Sequence, residues 1–251
     1  MIAAAPDLLA ESTDRLERLA AAAEAGAYDP AIDLMVTALD AGGVIQAFGT
    51  GHSQAFAMEM AGRAGGLIPT NGIALRDVVL FGGREPAALY GSELERDETV
   101  VAELLRVTRI GEPDVFVIAS NSGVNSSVVG LAQAVKGRGH KVIAVTSLEH
   151  TNSVEPQHPS GLRLAEIADV VIDNLAPRGD TTLTVADGVG VGAVSSITGA
   201  FIAQLLTIGV AQRLADAGGM PPVYLSANVP GGDEHNQALQ HLYRGRIRWS
   251  V

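Results

Sequence analysis

Residues Val115 to Gly130 read VFVIASNSGVNSSVVG, and the reading of this stretch decides the fold. Val115, Phe116, Val117, Ile118 and Ala119 form an unbroken apolar run, mostly β-branched or aromatic. A run without polar alternation suits a strand buried on both faces, as in a parallel sheet. It breaks into Ser120-Asn121-Ser122-Gly123, and a helical stretch runs from about Asn125 to Gly137. Strand, polar loop and helix N-terminus gather backbone N–H groups, hydroxyls and the positive helix end around one point, which attracts an anion. The same residues also suit an ordinary strand-to-helix corner, where Ser, Asn and Gly serve turn geometry and capping. Matching loops at other strand ends are what favour a phosphate cradle.

Two such loops exist. Upstream, Val44 to Phe48 (VIQAF) reads as a buried strand running into Gly49-Thr50-Gly51-His52-Ser53, then a helix from about Gln54 to Ala64. The spacing G-x-G-x-x-Q lacks the third glycine of a dinucleotide fingerprint, and no clear acidic residue ends the next strand. Downstream, Lys141 to Val145 reads as a strand ending in Thr146-Ser147. Ala168 to Ile172 is a further strand, and Leu67 to Thr70 a short one. Strands alternating with helices imply a parallel sheet with right-handed crossovers, whose ligands sit at the carboxyl ends of the strands.

Before the first strand, Leu8 to Gly26 and Ala31 to Leu39 carry helical periodicity, the second opened by Pro30 and closed by Gly42-Gly43. They are expected as an N-terminal helical arm, 1–43, ahead of a single domain, 44–251. Asp97 to Ile110 reads as a helix, and Phe81 to Gly91 as a loop that serves as a lid or a dimer contact. Glu149 to Gly161 reads as a surface loop, Val194 to Ala217 as a long apolar helix and Asp233 to Arg244 as an amphipathic one.

With 251 residues, 47% of them hydrophobic, the chain can bury a substantial core. Its net charge of −11 argues against nucleic acid or an anionic membrane as partner. The uncharged stretch between Asp187 and Arg213 is long enough to span a bilayer. Its Ser, Thr, Gln and Gly content and lack of a basic flank fit a helix buried in its own domain instead. No membrane partner is expected. Cysteine is absent, which excludes disulfides and thiolate ligands. The N-terminus lacks a basic n-region, so the cytoplasm is the expected compartment.

The motifs F-G-T-G-H-S at 48–53, A-S-N-S-G-V-N-S at 119–126 and V-T-S at 145–147 together resemble the sugar isomerase (SIS) domain. The segments D-N-L-A-P-R-G-D at 173–180 and S-A-N-V-P-G-G-D-E at 226–234 are similar to an uncharacterised branch of that family, itself similar to phosphoheptose isomerase. The resemblance implies a flavodoxin-like α/β sandwich around a five-stranded parallel sheet, in a homodimer or homotetramer. It implies a sugar phosphate as ligand, and no cofactor. Ser120, Asn121, Ser122 and Asn125 would form the phosphate shell, although the family often has Ser or Thr where Asn125 stands. Gly51, His52 and Ser53 would line the sugar, with Thr146 and Ser147 in the third loop.

In phosphoheptose isomerases a catalytic glutamate precedes a T-G-R sequence, and E-M-A-G-R places Glu59 there. The histidine one turn earlier in that subfamily falls on Ala55, so half of that helix's metal pair is missing and no metal is expected. Aldose–ketose isomerisation moves a proton between adjacent carbons and needs a base. Glu59 would be that base, with His52 assisting ring opening; each also fits a plainer role, on the helix's wet side or satisfying a loop carbonyl. Asp180, Ser195 and Ser196 either reach the sugar or cap the long helix. His235 and His241, six apart, do not share a helix face. A phosphosugar isomerase, a phosphosugar lyase or etherase, and a non-catalytic phosphosugar-binding module all fit these residues.

Overall fold

The computed structural model describes residues 2–248, so the outermost ends of the expected division, 1 and 249–251, lie outside it. The chain opens with α1 (Ala5–Glu24) and α2 (Asp29–Asp40), each with a proline in its first turn, where no N–H is needed. β1 (Ile45–Gly49), a 3-10 turn at Gly51–Ser53, α3 (Gln54–Met60) and β2 (Thr70–Ile73) follow. Three short helices, α4 (Asp77–Leu80), α5 (Glu93–Arg96) and α6 (Val100–Val107), lead to β3 (Val115–Ala119). Then come α7 (Ser126–Lys136), β4 (Lys141–Thr146), α8 (Leu148–Asn152), α9 (Leu164–Ile167) and β5 (Val170–Asp173). A hairpin of β6 (Thr181–Ala186) and β7 (Val189–Ala193) precedes α10 (Ser195–Asp216) and α11 (Gly232–Leu242).

β1 to β5 form one parallel sheet in the order β2-β1-β3-β4-β5, parallel as the strand–helix alternation predicts and five-stranded as the family resemblance implies. Every residue of β1 and β3 is buried, because helices cover both faces. On one face Ile45, Ala47, Val115, Val117 and Val145 pack with Ile32 and Met35 of α2, Phe56 of α3 and Ile202 and Leu206 of α10. On the other, Phe48, Phe116, Ile118 and Ala144 pack with Leu104 of α6 and Val128 and Leu131 of α7. The two helices expected as an arm therefore contribute Leu19, Ala31, Ile32 and Met35 to the same core as the sheet. α10 is long and apolar enough to cross a membrane, and here its Ile202, Ala203, Leu206 and Val210 are buried against that core.

Four local expectations shift. The second strand lies at Thr70–Ile73, not Leu67–Thr70. Its Asn71 is 2% exposed and donates to Gln46 Oε1 at 2.8 Å, so a polar pair sits inside the sheet with its bonds made. Gln46 in turn donates to buried Asp114, which also accepts the Val44 and Gly111 N–H groups and the Arg246 guanidinium. The helix after β1 stops at Met60, where Ala61 turns extended ahead of Gly62, Gly65 and Gly66. The helix expected over Asp97–Ile110 covers only Val100–Val107, and the polar stretch after Ser147 contains α8.

Candidate active site

The strand order reverses direction between β1 and β3, which opens a crevice at their carboxyl ends. The loops leaving β1 and β3 border it. Gly49 makes the first turn possible, because a Cβ there would run into the Ser53 carbonyl, and Gly51 follows with a positive φ of 53°. The resulting small cleft, open to solvent, is lined by His52, Ser53, Ser120, Asn121, Ser195 and Ser196. Phe56, Ala119, Val145 and Gly199 form its apolar wall. Among the described residues no Lys or Arg lines it, so attraction for an anion has to come from hydroxyls, N–H groups and helix ends.

Ser120 Oγ accepts the Gly123 N–H at 3.1 Å, which leaves its own proton available to donate. Asn121 is held by its neighbours: its Oδ1 accepts from Asn174 Nδ2 at 3.0 Å, and its carbonyl accepts the Ser147 N–H at 3.2 Å. Thr146 also donates to that carbonyl, at 3.3 Å. Ser147 Oγ donates to the Ala176 carbonyl at 2.5 Å and accepts the His150 N–H at 2.9 Å. Thr146 and Ser147 are fully buried, so they brace the serine loop from beneath, while Ser120 and Asn121 face the cleft. Ser122 is half-buried in the same loop. Asn125 stands at the N-cap of α7 but does not cap it; its Nδ2 donates to Glu95 Oε2 at 3.1 Å.

The opposite rim belongs to α10. Asp180, in the left-handed region at φ 62°, accepts the Val194 and Ser195 N–H groups and the Ser195 hydroxyl, so it caps the helix from a preceding turn. α8 supports that turn, with Glu149 accepting the Arg178 N–H at 3.0 Å.

Glu59 lies outside the cleft lining. It sits one helical turn beyond Ala55, as Gln204 sits one turn beyond Ala200, and Ala55 and Ala200 both line the cleft. Glu59 Oε1 accepts from Gln204 Nε2 at 2.6 Å and pairs with Arg63. His52 is exposed at the cleft edge. His235 Nε2 lies 3.0 Å from the Val223 carbonyl. Among the described residues no three His, Asp or Glu side chains gather as a metal-ligand set. Sequence reasoning brought out neither Asn174 nor Glu95. Asn174 belongs to the quoted D-N-L-A-P segment, which was its signal, whereas nothing local marks Glu95.

A family model of the SIS domain matches residues 8–147. A UPF0309 protein of Geobacillus thermodenitrificans is 38% identical over 211 residues, 84% of this chain and 83% of that protein. A UPF0309 protein of Listeria monocytogenes is 35% identical over 243 residues, 96% of each. Among solved structures, a phosphoheptose isomerase from Francisella tularensis superposes with a TM-score of 0.53 at 21% identity, over 84% of this chain and 99% of that one. The Vibrio vulnificus NanR protein complexed with ManNAc-6P gives 0.50 at 16%, over 95% of this chain and 67% of that one. Fold, strand-end loops and kinship agree, and the chain belongs to the SIS-domain family, within its UPF0309 branch.

Proposed function

We propose that the protein binds a sugar phosphate in the β1–β3 cleft and interconverts its aldose and ketose forms. The observation that carries the reading is convergence: Ser120 and Asn121, His52 and Ser53, and Ser195 and Ser196 come from three distant segments to one small cleft at the sheet's switch point. The phosphate would lie on the loop Ser120 to Gly123 with Asn125 and the N-terminus of α7, and the sugar would extend toward His52, Ser53 and Ser195. The relative complexed with ManNAc-6P supports this ligand class, and the phosphoheptose isomerase supports the reaction type.

For the reaction, Glu59 would take the proton from the carbon beside the carbonyl and return it to the former carbonyl carbon, as the hydroxyl proton passes to the former carbonyl oxygen, and His52 would shuttle the ring-opening proton. Gln204 and Arg63 would hold the carboxylate in place. One observation favours binding without turnover: the Glu59 carboxylate already has two partners and stands a turn away from the cleft wall.

Self-association belongs to the same proposal. α10 is apolar around most of its circumference, and a helix of that kind is covered on more than one side. Its Ile197 and Ile208 are exposed, as are Met58 on α3, Leu80 at the end of α4 and Phe81 just after it. A second copy against this face would make the homodimer. The test of the function is a thermal-shift screen with pentose, hexose and heptose phosphates, followed by NMR detection of aldose–ketose exchange for each binder. A ligand at 100 times its Kd adds about 2.7 kcal/mol of stability. A panel without any shift would refute the phosphosugar reading, and binders that never exchange would leave a binding module.

A further inference from the structure

Glu95 borders the place proposed for the phosphate and already holds one of its donors. Its Oε2 accepts from Asn125 Nδ2 at 3.1 Å, at the uncapped N-terminus of α7. Its Oε1 lies over Gly51, so close that a Cβ built there would come within 2.8 Å. The carboxylate thus bridges the loops after β1 and β3 and takes the Asn125 amide, one donor of a seat where hydroxyls and a helix end also favour an oxyanion. Its partner is an amide and not a cation, and the cleft beside it has no Lys or Arg lining. A carboxylate and a phosphate both call on Asn125 Nδ2, and like charges a few ångströms apart repel.

We propose, resting on the phosphosugar reading, that Glu95 is an internal competitor for the phosphate seat and so sets which phosphates the protein takes. The neighbouring Leu94 is 6% exposed and packs with Val101 and Leu104 of α6, which anchors the short helix α5. The backbone therefore stays, and the Glu95 side chain swings aside when phosphate enters. Free phosphate has only the seat to gain and is held off. A sugar phosphate gains the sugar contacts as well and offsets the same competition.

Competition lowers every phosphate's apparent affinity by the fraction of time the seat is open. A seat filled nine-tenths of the time implies that Glu95→Ala binds inorganic phosphate about tenfold more tightly. The test is titration calorimetry with inorganic phosphate on four full-length proteins: wild type, Glu95→Ala, Glu95→Gln and the double variant Ser120→Ala/Ser122→Ala. Glu95→Gln keeps the length and an acceptor for Asn125, so it separates charge from shape and guards against a folding defect in the alanine variant. The expected result is tighter phosphate binding by both Glu95 variants and none by the serine double variant. Equal or weaker binding by the Glu95 variants, with binding still lost in the serine variant, overturns the competitor while leaving the phosphate site standing. Absence of binding in all four proteins overturns both.

Discussion

Asp180 accepts the Ser195 hydroxyl on Oδ2 at 2.6 Å and the Ser195 N–H on Oδ1 at 2.8 Å, across the whole β6–β7 hairpin. The residue before the hairpin thus caps the helix after it, and Ser195 is held at the cleft rim. Asp180→Ala removes three hydrogen bonds to a charged acceptor, counting Val194 N–H at 3.2 Å. Urea unfolding should show a loss of about 2–4 kcal/mol, and Asp180→Asn less, because an acceptor remains. A loss below about 0.5 kcal/mol would show that the cap is not structural.

Ser120 lines a cleft that, among the described residues, has no Lys or Arg, and Ser122 stands half-buried in the same loop. Their joint replacement by alanine should weaken sugar-phosphate binding by tens-fold or more, since each bond to a charged group is worth roughly 1.5–3 kcal/mol. The melting temperature without ligand should move little, as Ser120 gives up only the bond from the Gly123 N–H. Unchanged affinity for every bound sugar phosphate would remove this loop from the site.

Glu59→Gln keeps the shape of the side chain and an acceptor for Gln204 but cannot take a carbon-bound proton. For any sugar phosphate the protein turns over, the rate should fall by roughly 10²–10⁴-fold with affinity nearly intact. Near-normal turnover would transfer the role of base elsewhere.

Asp97 tests the segment that carries Glu95. The Thr99 hydroxyl, with Arg84 beside it, holds the Asp97 carboxyl below its ordinary value. A depressed carboxyl contributes stability above its unfolded value, about pH 3.9, and loses that contribution as pH falls through the folded value. Wild type should therefore exceed Asp97→Asn in stability at neutral pH, with the difference shrinking through the acid range below about pH 4. A constant difference across that range would show that the carboxylate's charge is not what matters.

Ile208 is 50% exposed on the outer face of α10. Light scattering at micromolar concentration should give a dimer for wild type and a monomer for Ile208→Lys, with both chains folded by circular dichroism. A wild-type monomer would count decisively against self-association.

Much of this molecule was legible from pattern alone. Val115 to Ala119 suited a doubly buried strand, and it lies at the sheet's centre with the serine loop at its carboxyl end. What pattern missed depends on partners far along the chain. Thr70 and Asn71 look unsuited to a buried strand until Gln46 supplies the bond for Asn71 from 25 residues away. The β6–β7 hairpin had a local signal, Asp187-Gly188 with Val185 and Val189 on either side, but it stands at the start of the uncharged run leading to α10. Glu95 lies in a stretch with weak periodicity, and only the folded chain brings it 3.1 Å from Asn125.

The topology also orders events at the ribosome. β1 pairs with β2 and β3, so its second edge stays open until residue 119 is made. The helix that seals one face of β1, α10, arrives only after all five strands of the sheet have been synthesised. Through that interval Ile45 and Ala47 lack the cover of Ile202 and Leu206, and the nascent chain carries an apolar sheet face that invites sticking. Chaperone demand should therefore peak late in translation, and a stall before α10 should release an aggregating fragment.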